Sequence, residues 1–359
     1  MSAVFRLLWA FFVSLPLSFL RFVPTLGSMA TRTDRPVVGI DLGGTNMQVG
    51  VVDSTGRIIG RAKKKTRAEE GPAKVMGRIH DGIREACEEA KIPAKSLLAV
   101  GIGAPGAIDP VTGVVLEAPN LRWNHIPLAK TLAKKVGRPV YVDNDVRSAI
   151  YGEHQLGAGR GCSELMGVWI GTGIGGGLIL RDELYHGFTN TAGEVGHVTL
   201  FPGMPPGSTS LENNCSRTAI VERIIKLIKT NHKSIIPKLA DNDLSDVKAR
   251  VVAMAYTRND RVTKMVVESA AENLGIAIAS VVTLLGLQRV VIGGGLTESM
   301  GEKLVALIRR SVHKHAAPEI NRHVEVVKTE LEADAGLLGA AMLARKGLSS
   351  RSRTRVIRA

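Results

Sequence analysis

The sequence predicts an α/β fold made of two similar lobes. The stretches Val37–Val52 and Leu165–Leu180 start about 130 residues apart, and each reads as an apolar strand, a turn of small residues and a second apolar strand. Short apolar runs bounded by glycine are typical of neighbouring strands in a buried sheet. Because each half of the chain begins with such a hairpin, we expect a duplicated fold with a cleft between the lobes.

The composition is that of a globular chain with ample length for a core. Of its 359 residues, 45% are hydrophobic and 22% are charged, and the net charge is +14. Residues 345–359 hold six Arg or Lys and no acid. No aromatic residue interleaves with these arginines, so we expect a solvated tail rather than a nucleic-acid-binding arm. The mildly basic remainder suits an anionic substrate.

The number of cysteines and the N-terminal sequence indicate the cellular compartment in which we expect the protein. Three widely spaced cysteines favour a reducing, cytoplasmic setting over a disulfide framework. Residues 4–26 are apolar, but the longest run without a charge, Leu7–Leu20, has 14 residues, fewer than the ~20 that cross a bilayer. We favour a translation start at Met29 and expect no membrane partner; a genuine membrane anchor is the alternative.

The turn of the first hairpin is suited to a phosphate. Gly43 and Gly44 let backbone N–H groups approach a ligand without interference from Cβ. Asp41, at the end of the first strand, would repel a phosphate unless a cation lay between them. Asp41 is therefore a candidate to hold Mg²⁺, through water. The alternative is an ordinary hairpin whose glycines only make the turn.

A second polar cluster follows a short strand predicted over Val140–Val142. It consists of Asp143, Asn144 and Asp145. In open α/β sheets ligands gather at the carboxyl ends of strands, so this cluster is a candidate site. The alternative for Asp145 is structural, as the cap of a helix predicted to run to about Leu156.

Two glycine runs mark the second half. Gly171–Gly177 is the predicted turn of the second hairpin, and Gly293–Gly295 follows a predicted strand and opens a further helix. The latter run would let a flat ring such as adenine lie against the backbone. The other predicted elements are strands at Arg57–Lys65, Leu97–Ile102, Arg289–Ile292 and Val324–Val327, and helices at Pro72–Ala90, Cys215–Lys229, Leu244–Tyr256, Val262–Leu285 and Ala335–Lys346.

Seven motifs lie in order between residues 37 and 346: GIDLGGT (Gly39–Thr45), GIGAPGAID (Gly101–Asp109), APNLRW (Ala118–Trp123), VDNDVRSAIYGE (Val142–Glu153), GTGIGGG (Gly171–Gly177), AGEVGH (Ala192–His197) and VIGGG (Val291–Gly295). In this order they resemble the ROK family of sugar kinases, repressors and related proteins. The resemblance implies duplicated lobes of the actin-like ATPase (ribonuclease H-like) fold.

The predicted domain organisation follows this fold. Residues 1–36 are an N-terminal extension outside the fold, 37–143 a small lobe and 144–334 a large lobe. Residues 335–346 form a C-terminal helix that is a candidate to return to the small lobe, and 347–359 form a basic tail. We also expect a homodimer.

The resemblance implies an enzyme that phosphorylates a hexose with ATP and Mg²⁺, most often glucose at its 6-hydroxyl. Asp145 would be the general base, and a placed carboxylate typically contributes roughly 10²- to 10⁴-fold to rate. Amides and carboxylates suit a hexose, whose hydroxyls both donate and accept hydrogen bonds. The implied sugar-binding positions are Asn120, Asn144, Asp145, Glu194, His197 and Glu212.

The nucleotide would lie across both hairpin turns. The turns and the hydroxyls of Thr45 and Thr172 would cradle the phosphates, and most of the catalysis would come from positioning and Mg²⁺. The predicted nucleotide-binding residues are Asp41, which also holds Mg²⁺, and Gly43, Gly44, Thr45, Gly171, Thr172, Gly173, Gly175, Gly293, Gly294 and Gly295.

One departure from the family pattern concerns zinc. The family usually follows its glutamate–glycine–histidine motif with a cysteine cluster, CxCGxxGC, that binds a structural zinc together with that histidine. The segment after His197 lacks the cluster, and Cys215 lies past it. A closed zinc site needs about four ligands, so we predict none. Pro202, Pro205 and Pro206 would instead stiffen the loop that leads to Glu212.

Several functions stay open on the sequence. Fructose, mannose or an N-acetylhexosamine are alternative acceptors, and polyphosphate is an alternative donor. A sugar-sensing repressor is a second class, but residues 1–36 contain no polar recognition helix with basic spacing, and we expect no nucleic-acid partner. A sugar-binding protein without catalysis is the third class, and the presence of both Asp41 and Asp145 argues against it.

Overall fold

A computed structural model describes residues 34–356, with side chains through residue 349. In this part of the chain the strands are β1 (Val37–Leu42), β2 (Asn46–Val52), β3 (Ile58–Lys65), β4 (Val100–Ala104), β5 (Ala107–Asp109), β6 (Val114–Ala118), β7 (Trp123–Ile126), β8 (Val140–Asn144), β9 (Glu164–Ile170), β10 (Ile174–Leu180), β11 (Glu183–Tyr185), β12 (Arg289–Gly293) and β13 (Glu325–Lys328). The α-helices are α1 (Pro72–Glu89), α2 (Leu128–Val136), α3 (Asp145–Leu156), α4 (Leu211–Cys215), α5 (Arg217–Lys229), α6 (Ile236–Leu239), α7 (Ala249–Thr257), α8 (Arg261–Leu285), α9 (Gly295–Met300), α10 (Glu302–His315) and α11 (Ala335–Val356). The apolar run Leu7–Leu20 and Met29 lie outside the described residues.

Two five-stranded sheets share one topology. The first has the strand order β3-β2-β1-β4-β8 and the second β11-β10-β9-β12-β13. In each, an antiparallel hairpin continues on one side into a third antiparallel strand and on the other into two parallel strands. The predicted α/β fold with a duplicated hairpin is therefore confirmed. A three-stranded sheet, β5-β6-β7, was not predicted.

Helices cover both faces of the first sheet. The apolar stripe of α1 is buried against one face. On the other face α11 lies so close that a Cβ on Gly39 would stand 2.0 Å from the carbonyl oxygen of Leu337. The start of α11 reaches the end of β1, because a Cβ on Gly336 would stand 2.9 Å from Cγ of Asp41. The C-terminal helix thus packs on the first hairpin and begins near Asp41.

The long helix α8 belongs to the core beside the second sheet. Within residues 34–356 it is the one helix long and apolar enough to cross a membrane by length and composition. However, 56% of its apolar window is buried. Its residues Leu274 and Ile278 lie in the same core cluster as Ile308 and Val312 of α10. Packing in this core therefore accounts for its hydropathy.

The predicted glycine turn Gly171–Gly177 is wrong in its second part. Residues 175–177 lie in β10 and pair in register with β9. Glycine normally weakens a strand, but here the neighbours leave no room for a side chain. A Cβ on Gly175 would stand 2.6 Å from Cγ2 of Val146 in α3. Close packing of α3 on β10 therefore explains why this strand contains glycines, which were predicted to form a turn.

Other predicted elements differ at their ends. The helix predicted over Cys215–Lys229 is interrupted at Ser216, whose extended backbone ends α4 and whose hydroxyl caps α5. The helix predicted from Leu244 begins at Ala249. Helix α11 continues to Val356 instead of ending at Lys346, so most of the predicted tail is helical. Helices α2 and α10 and strand β11 were not predicted.

Candidate active site

A cavity of about 740 Å³ lies between the two large sheets. Residues at the carboxyl ends of β4, β8, β9 and β12 line it, which is where parallel strands of an α/β protein present their ligand sites. The predicted site residues in its lining are Asn120, Asn144, Asp145, Gly171, Gly173, Gly175, Glu194, His197, Glu212 and Gly294.

Asp145 is the first residue of α3 and lines this cavity. Asn144 is the helix cap, because its Oδ1 accepts a hydrogen bond from the Arg147 N–H at 3.1 Å. The alternative role of Asp145 as the cap is therefore wrong. Burial is the main cause that raises the pKa of Asp145, and the charge of Glu194 raises it further. A carboxyl group with increased proton affinity at a cavity wall suits a general base.

Asn144 also joins β8 to the neighbouring GIGAPGAID motif. Its Nδ2 donates to the carbonyl oxygen of Gly106 at 3.1 Å. Gly106 has a φ of 95°, and a Cβ there would stand 2.1 Å from the carbonyl oxygen of Glu117. The motif thus makes a tight turn that only glycine fits. The sugar contact of Asn144 stays a prediction beside this structural role.

Asp41 lies within the electrostatic range of Asp145. Burial raises the pKa of Asp41 to about 7, and the negative charge of Asp145 contributes to the shift. Two neighbouring carboxyl groups, each with a pKa raised mainly by burial, form a set that a divalent cation would stabilise. The side chains present therefore fit a Mg²⁺ ion whose remaining ligands are water and phosphate oxygens.

Thr66 stabilises the first hairpin turn through two hydrogen bonds. The Thr66 hydroxyl donates to the carbonyl oxygen of Gly43 at 2.6 Å, and its N–H donates to that of Thr45 at 2.8 Å. Gly44 packs on Asn120, since a Cβ on Gly44 would stand 3.3 Å from the Asn120 carbonyl oxygen. The predicted phosphate turn thus touches a predicted sugar-binding segment. Thr66 was missed, because a threonine after three lysines gives no recognisable signal.

The second hairpin turn is held by the start of α5. The N–H of Arg217 donates to the carbonyl oxygen of Gly171 at 3.0 Å, and its Nη2 donates to Oγ1 of Thr172 at 3.0 Å. The hydroxyl of Thr218 donates to the Thr172 carbonyl oxygen at 2.8 Å. Arg217 therefore places a positive charge beside the turn. Arg217 was not predicted, although its position directly after Ser216 was an available signal.

Glu212 links α4 to the same turn. Its Oε2 accepts a hydrogen bond from the N–H of Ile174 at 2.7 Å, and a Cβ on Gly173 would stand 2.2 Å from that oxygen. Ser210 caps α4 through the N–H of Asn213 at 3.2 Å. Glu212 thus stands at the cavity wall between the turn and the predicted sugar-binding residues.

Backbone pairing closes the loop that stands in place of the cysteine cluster. The N–H groups of Leu200 and Phe201 donate to the carbonyl oxygen of Thr209 at 2.8 and 3.1 Å, and that of Leu211 donates to Val198 at 2.9 Å. The three prolines lie at the exposed tip, in residues 202–206. This ladder holds the base of the loop, and stiffening by the prolines stays a prediction.

Cysteine and histidine do not cluster in the described part of the chain. Cys215 is buried in the core, and burial raises the pKa of its thiol to about 12, so it is an inert side chain. Within residues 34–356 no group of three or more His, Cys, Asp or Glu side chains is placed to hold a metal ion. A Mg²⁺ ion at Asp41 would therefore depend on the nucleotide for several of its ligands.

The third glycine run reaches the cavity through one residue. Gly293 is buried, and a Cβ there would stand 2.5 Å from the indole of Trp169. Gly294 lines the cavity with a φ of 87°, and Gly295 begins α9. The indole covers Gly293, so a flat ring could meet only the later part of this run. Glu117, Trp169 and Thr191 also line the cavity and were not predicted.

Known proteins are similar to this chain over most of its length. The ROK family model matches residues 37–347. A glucokinase of Thermotoga maritima is 34% identical over 312 residues, covering 86% of this chain and 96% of the relative. A ROK family glucokinase from Streptomyces griseus, solved in complex with glucose and AMPPNP, has a TM-score of 0.76 and 30% identity and covers 87% of this chain and 99% of that one. A xylose repressor of Caldicellulosiruptor bescii is 29% identical over 298 residues, covering 81% of this chain and 74% of the relative.

The seven motifs, the duplicated sheets and these matches agree over the same residues. The family model spans both sheets and the C-terminal helix as far as residue 347, and the Thermotoga maritima relative aligns over nearly its full length. This chain belongs to the ROK family.

Proposed function

We propose that this protein is an ATP-dependent hexose kinase whose preferred acceptor is the 6-hydroxyl of glucose. The observation that carries the proposal is the position of Asp145, a half-buried residue on the wall of a cavity that the second hairpin turn lines and that the first turn approaches through Asn120. The glucokinase relatives, one of them solved with glucose and an ATP analogue, support the same substrates.

Asp145 would accept the proton of the acceptor hydroxyl as the oxygen of that hydroxyl bonds to the γ-phosphorus of ATP. The bond from that phosphorus to the bridging oxygen would break, and ADP would be the leaving group. Burial raises the proton affinity of this carboxyl, which favours the transfer. Asn120, Glu194, His197 and Glu212 would hold the sugar through its other hydroxyls. Their amide, imidazole and carboxylate groups provide the mixture of donors and acceptors that a hexose requires.

The two turns would hold the phosphates from opposite sides of the cavity. Gly44 and Thr45 would offer backbone N–H groups and a hydroxyl on one side, and Thr172 and Gly173 would do so on the other. The N–H groups of Gly43 and Gly171 instead close the turns, on the carbonyl oxygens of Asn46 at 3.0 Å and Gly173 at 2.9 Å. Arg217 adds a positive charge at the second turn. Mg²⁺, held near Asp41, would neutralise charge on the phosphates. Most of the rate enhancement would then come from positioning.

The alternatives differ in acceptor, donor or class. Fructose, mannose or an N-acetylhexosamine remain possible acceptors, and polyphosphate remains a possible donor. The similarity to a xylose repressor favours, as a second candidate, a sugar sensor that binds a sugar without phosphorylating it. A homodimer in the cytoplasm is also proposed from the family resemblance, and light scattering of the purified protein tests the dimer.

A coupled assay of ADP release over a panel of hexoses tests the function. We expect glucose to give the highest kcat/KM with ATP and Mg²⁺, and glucose 6-phosphate as the product. The panel is repeated with polyphosphate, and phosphorylated product is then measured directly. Sugar binding without any phosphorylated product would favour the sensor and contradict the kinase.

A further inference from the structure

A buried ion pair lies directly behind the proposed general base, and the proposed mechanism does not use it. It joins Asp143, near the end of β8, to Arg147, in the first turn of α3, and the two side chains are 4% and 2% exposed. A buried pair of charges is costly unless hydrogen bonds satisfy it, so its contacts indicate what it holds.

The Asp143 carboxylate is satisfied on both oxygens. Its Oδ1 accepts from the N–H of Asn144 at 2.7 Å and from Nε of Arg147 at 2.8 Å. Its Oδ2 lies 2.7 Å from Nε2 of His186. Burial alone would raise the pKa of Asp143, but the bond from His186 and the charge of Arg147 outweigh it and lower the pKa. Asp143 is thus charged and binds both Arg147 and His186, and these three residues form what we call the anchor.

His186, the second partner of Asp143, belongs to the segment that leads to the predicted sugar-binding residue Glu194. Besides binding Asp143, Arg147 donates from Nη1 to the carbonyl oxygen of Asn190 at 2.7 Å. The segment closes on itself where the N–H of Ala192 donates to the carbonyl oxygen of His186 at 3.0 Å. Both His186 and Asn190 are therefore tied to the junction of β8 and α3.

The junction of β8 and α3 also fixes Asp145. The residues Asn144 and Asp145 lie between Asp143 and Arg147 in sequence, so the ion pair spans the helix start that carries the base. The segment 186–194 reaches the same cavity through Thr191 and Glu194. The buried carboxylate of Asp143 thus fixes the position of the predicted sugar-binding segment relative to the proposed general base.

We propose that Asp143, Arg147 and His186 are positioning residues that align the segment 186–194 with the general base. This inference rests on the proposed function, because it assigns the segment to the hexose. A shift of the segment by about 1 Å is enough to weaken a site of this kind strongly. The nucleotide turns, residues 43–45 and 171–173, lie on other elements, and none of the hydrogen bonds described for them involves Asp143, Arg147 or His186.

His186 offers the sharpest test, because its side chain is 27% exposed and its replacement disturbs the core least. In His186→Leu the donor to Asp143 is lost. In His186→Gln an amide N–H can still donate to the same oxygen. The matched control is His313→Leu in α10, which also loses an imidazole hydrogen bond, here from Nε2 to the backbone carbonyl oxygen of Val324 at 2.9 Å.

We expect His186→Leu to raise the KM for the hexose at least roughly 10-fold while the KM for ATP changes less than about twofold. His186→Gln should restore the hexose KM to within about threefold of the native value. His313→Leu should leave both constants unchanged. Arg147→Lys, which keeps the charge but cannot reach both Asp143 and Asn190, should show the same split as His186→Leu.

A second measurement does not need activity. Hydrogen exchange of the ligand-free protein should accelerate in residues 186–194 of His186→Leu and stay native in His186→Gln and His313→Leu. If the native protein phosphorylates no hexose, the proposed function fails, and this exchange experiment still tests the anchor. A folded His186→Leu with native exchange and native hexose KM would overturn the proposal. Uniform acceleration over the whole chain would also overturn it, because it would show a general loss of stability.

Discussion

Glu212 accepts a hydrogen bond from the backbone N–H of Ile174 at 2.7 Å, directly beside the second glycine turn. The residue predicted to bind the sugar therefore also supports the turn predicted to bind phosphate. Any change that displaces this carboxylate should affect the sugar even when it is made in the nucleotide half of the site. This relationship motivates the first prediction.

Gly173→Ala should weaken sugar binding. A Cβ at this position would stand 2.2 Å from Oε2 of Glu212, so the carboxylate must move. We expect the hexose KM to rise at least roughly 10-fold. The control is Gly171→Ala, where the nearest heavy atom to a new Cβ is 3.9 Å away. Steady-state kinetics with varied hexose measure both variants, and an equal hexose KM in the two would contradict the prediction.

Asp145→Asn should abolish most of the turnover without abolishing sugar binding. The amide keeps the shape and most of the hydrogen bonds but cannot accept the proton. We expect kcat to fall at least roughly 10²-fold while hexose affinity, measured by calorimetry, changes little. Asp81→Asn, an exposed carboxylate on α1, is the control. Near-native turnover of Asp145→Asn would remove Asp145 from the role of general base.

Asp41→Asn should stabilise the protein in the absence of Mg²⁺ and nucleotide, and more so at high pH. The folded-state pKa of Asp41, about 7, is above its ordinary 3.8. The folded protein therefore binds more protons than the unfolded chain between these values, and Asp41 lowers stability as the pH rises from about 4 to 7. The difference is of the order of a few kcal/mol above pH 7.

Chemical unfolding of Asp41→Asn and the native protein at pH 5 and pH 8 measures this effect. The advantage of the variant should be larger at pH 8, and added Mg²⁺ with nucleotide should reduce it, because a cation compensates the native carboxylate. An advantage of the same size at both pH values would show that the Asp41 carboxyl does not titrate in this range.

The protein should work without zinc. Cys215 is a buried core residue, and backbone pairing between residues 198–201 and 209–211 closes the loop. Elemental analysis of protein purified without a histidine tag should find far less than one zinc per chain. Activity should survive a chelator when Mg²⁺ is kept in excess. About one zinc per chain, with activity lost to the chelator and restored by Zn²⁺, would show that the metal site has been kept by other ligands.

The sequence predicted the features that depend on local pattern. Two short apolar runs and the glycines between them along Val37–Val52 indicated the first hairpin, and the structure pairs its strands from Val37 with Val52 to Leu42 with Met47. Its repetition near Leu165 indicated the duplication. The polar residues after β8 and the glycine turns were found for the same reason, because a strand end and a tight turn are short-range features.

The errors arose where packing between distant elements overrides local preference. Gly175 was predicted to lie in a turn but lies in β10. This strand position carries glycine because Val146 of α3 leaves no space for a side chain. Contact of Gly293 with a ring of the nucleotide stays a prediction, but the indole of Trp169, which packs against this glycine, was not foreseen. Neither neighbour is close in sequence, so no local pattern could show them.

By itself, the sequence determined the duplicated α/β fold, the family and the residue types of the site. Only the tertiary structure decided which partners hold those residues, such as Thr66 behind the first turn, Arg217 beside the second and His186 on Asp143. The physical reason is that these bonds join segments separated by 23, 45 and 43 residues. Such contacts form only when the sheets, helices and loops have packed against one another.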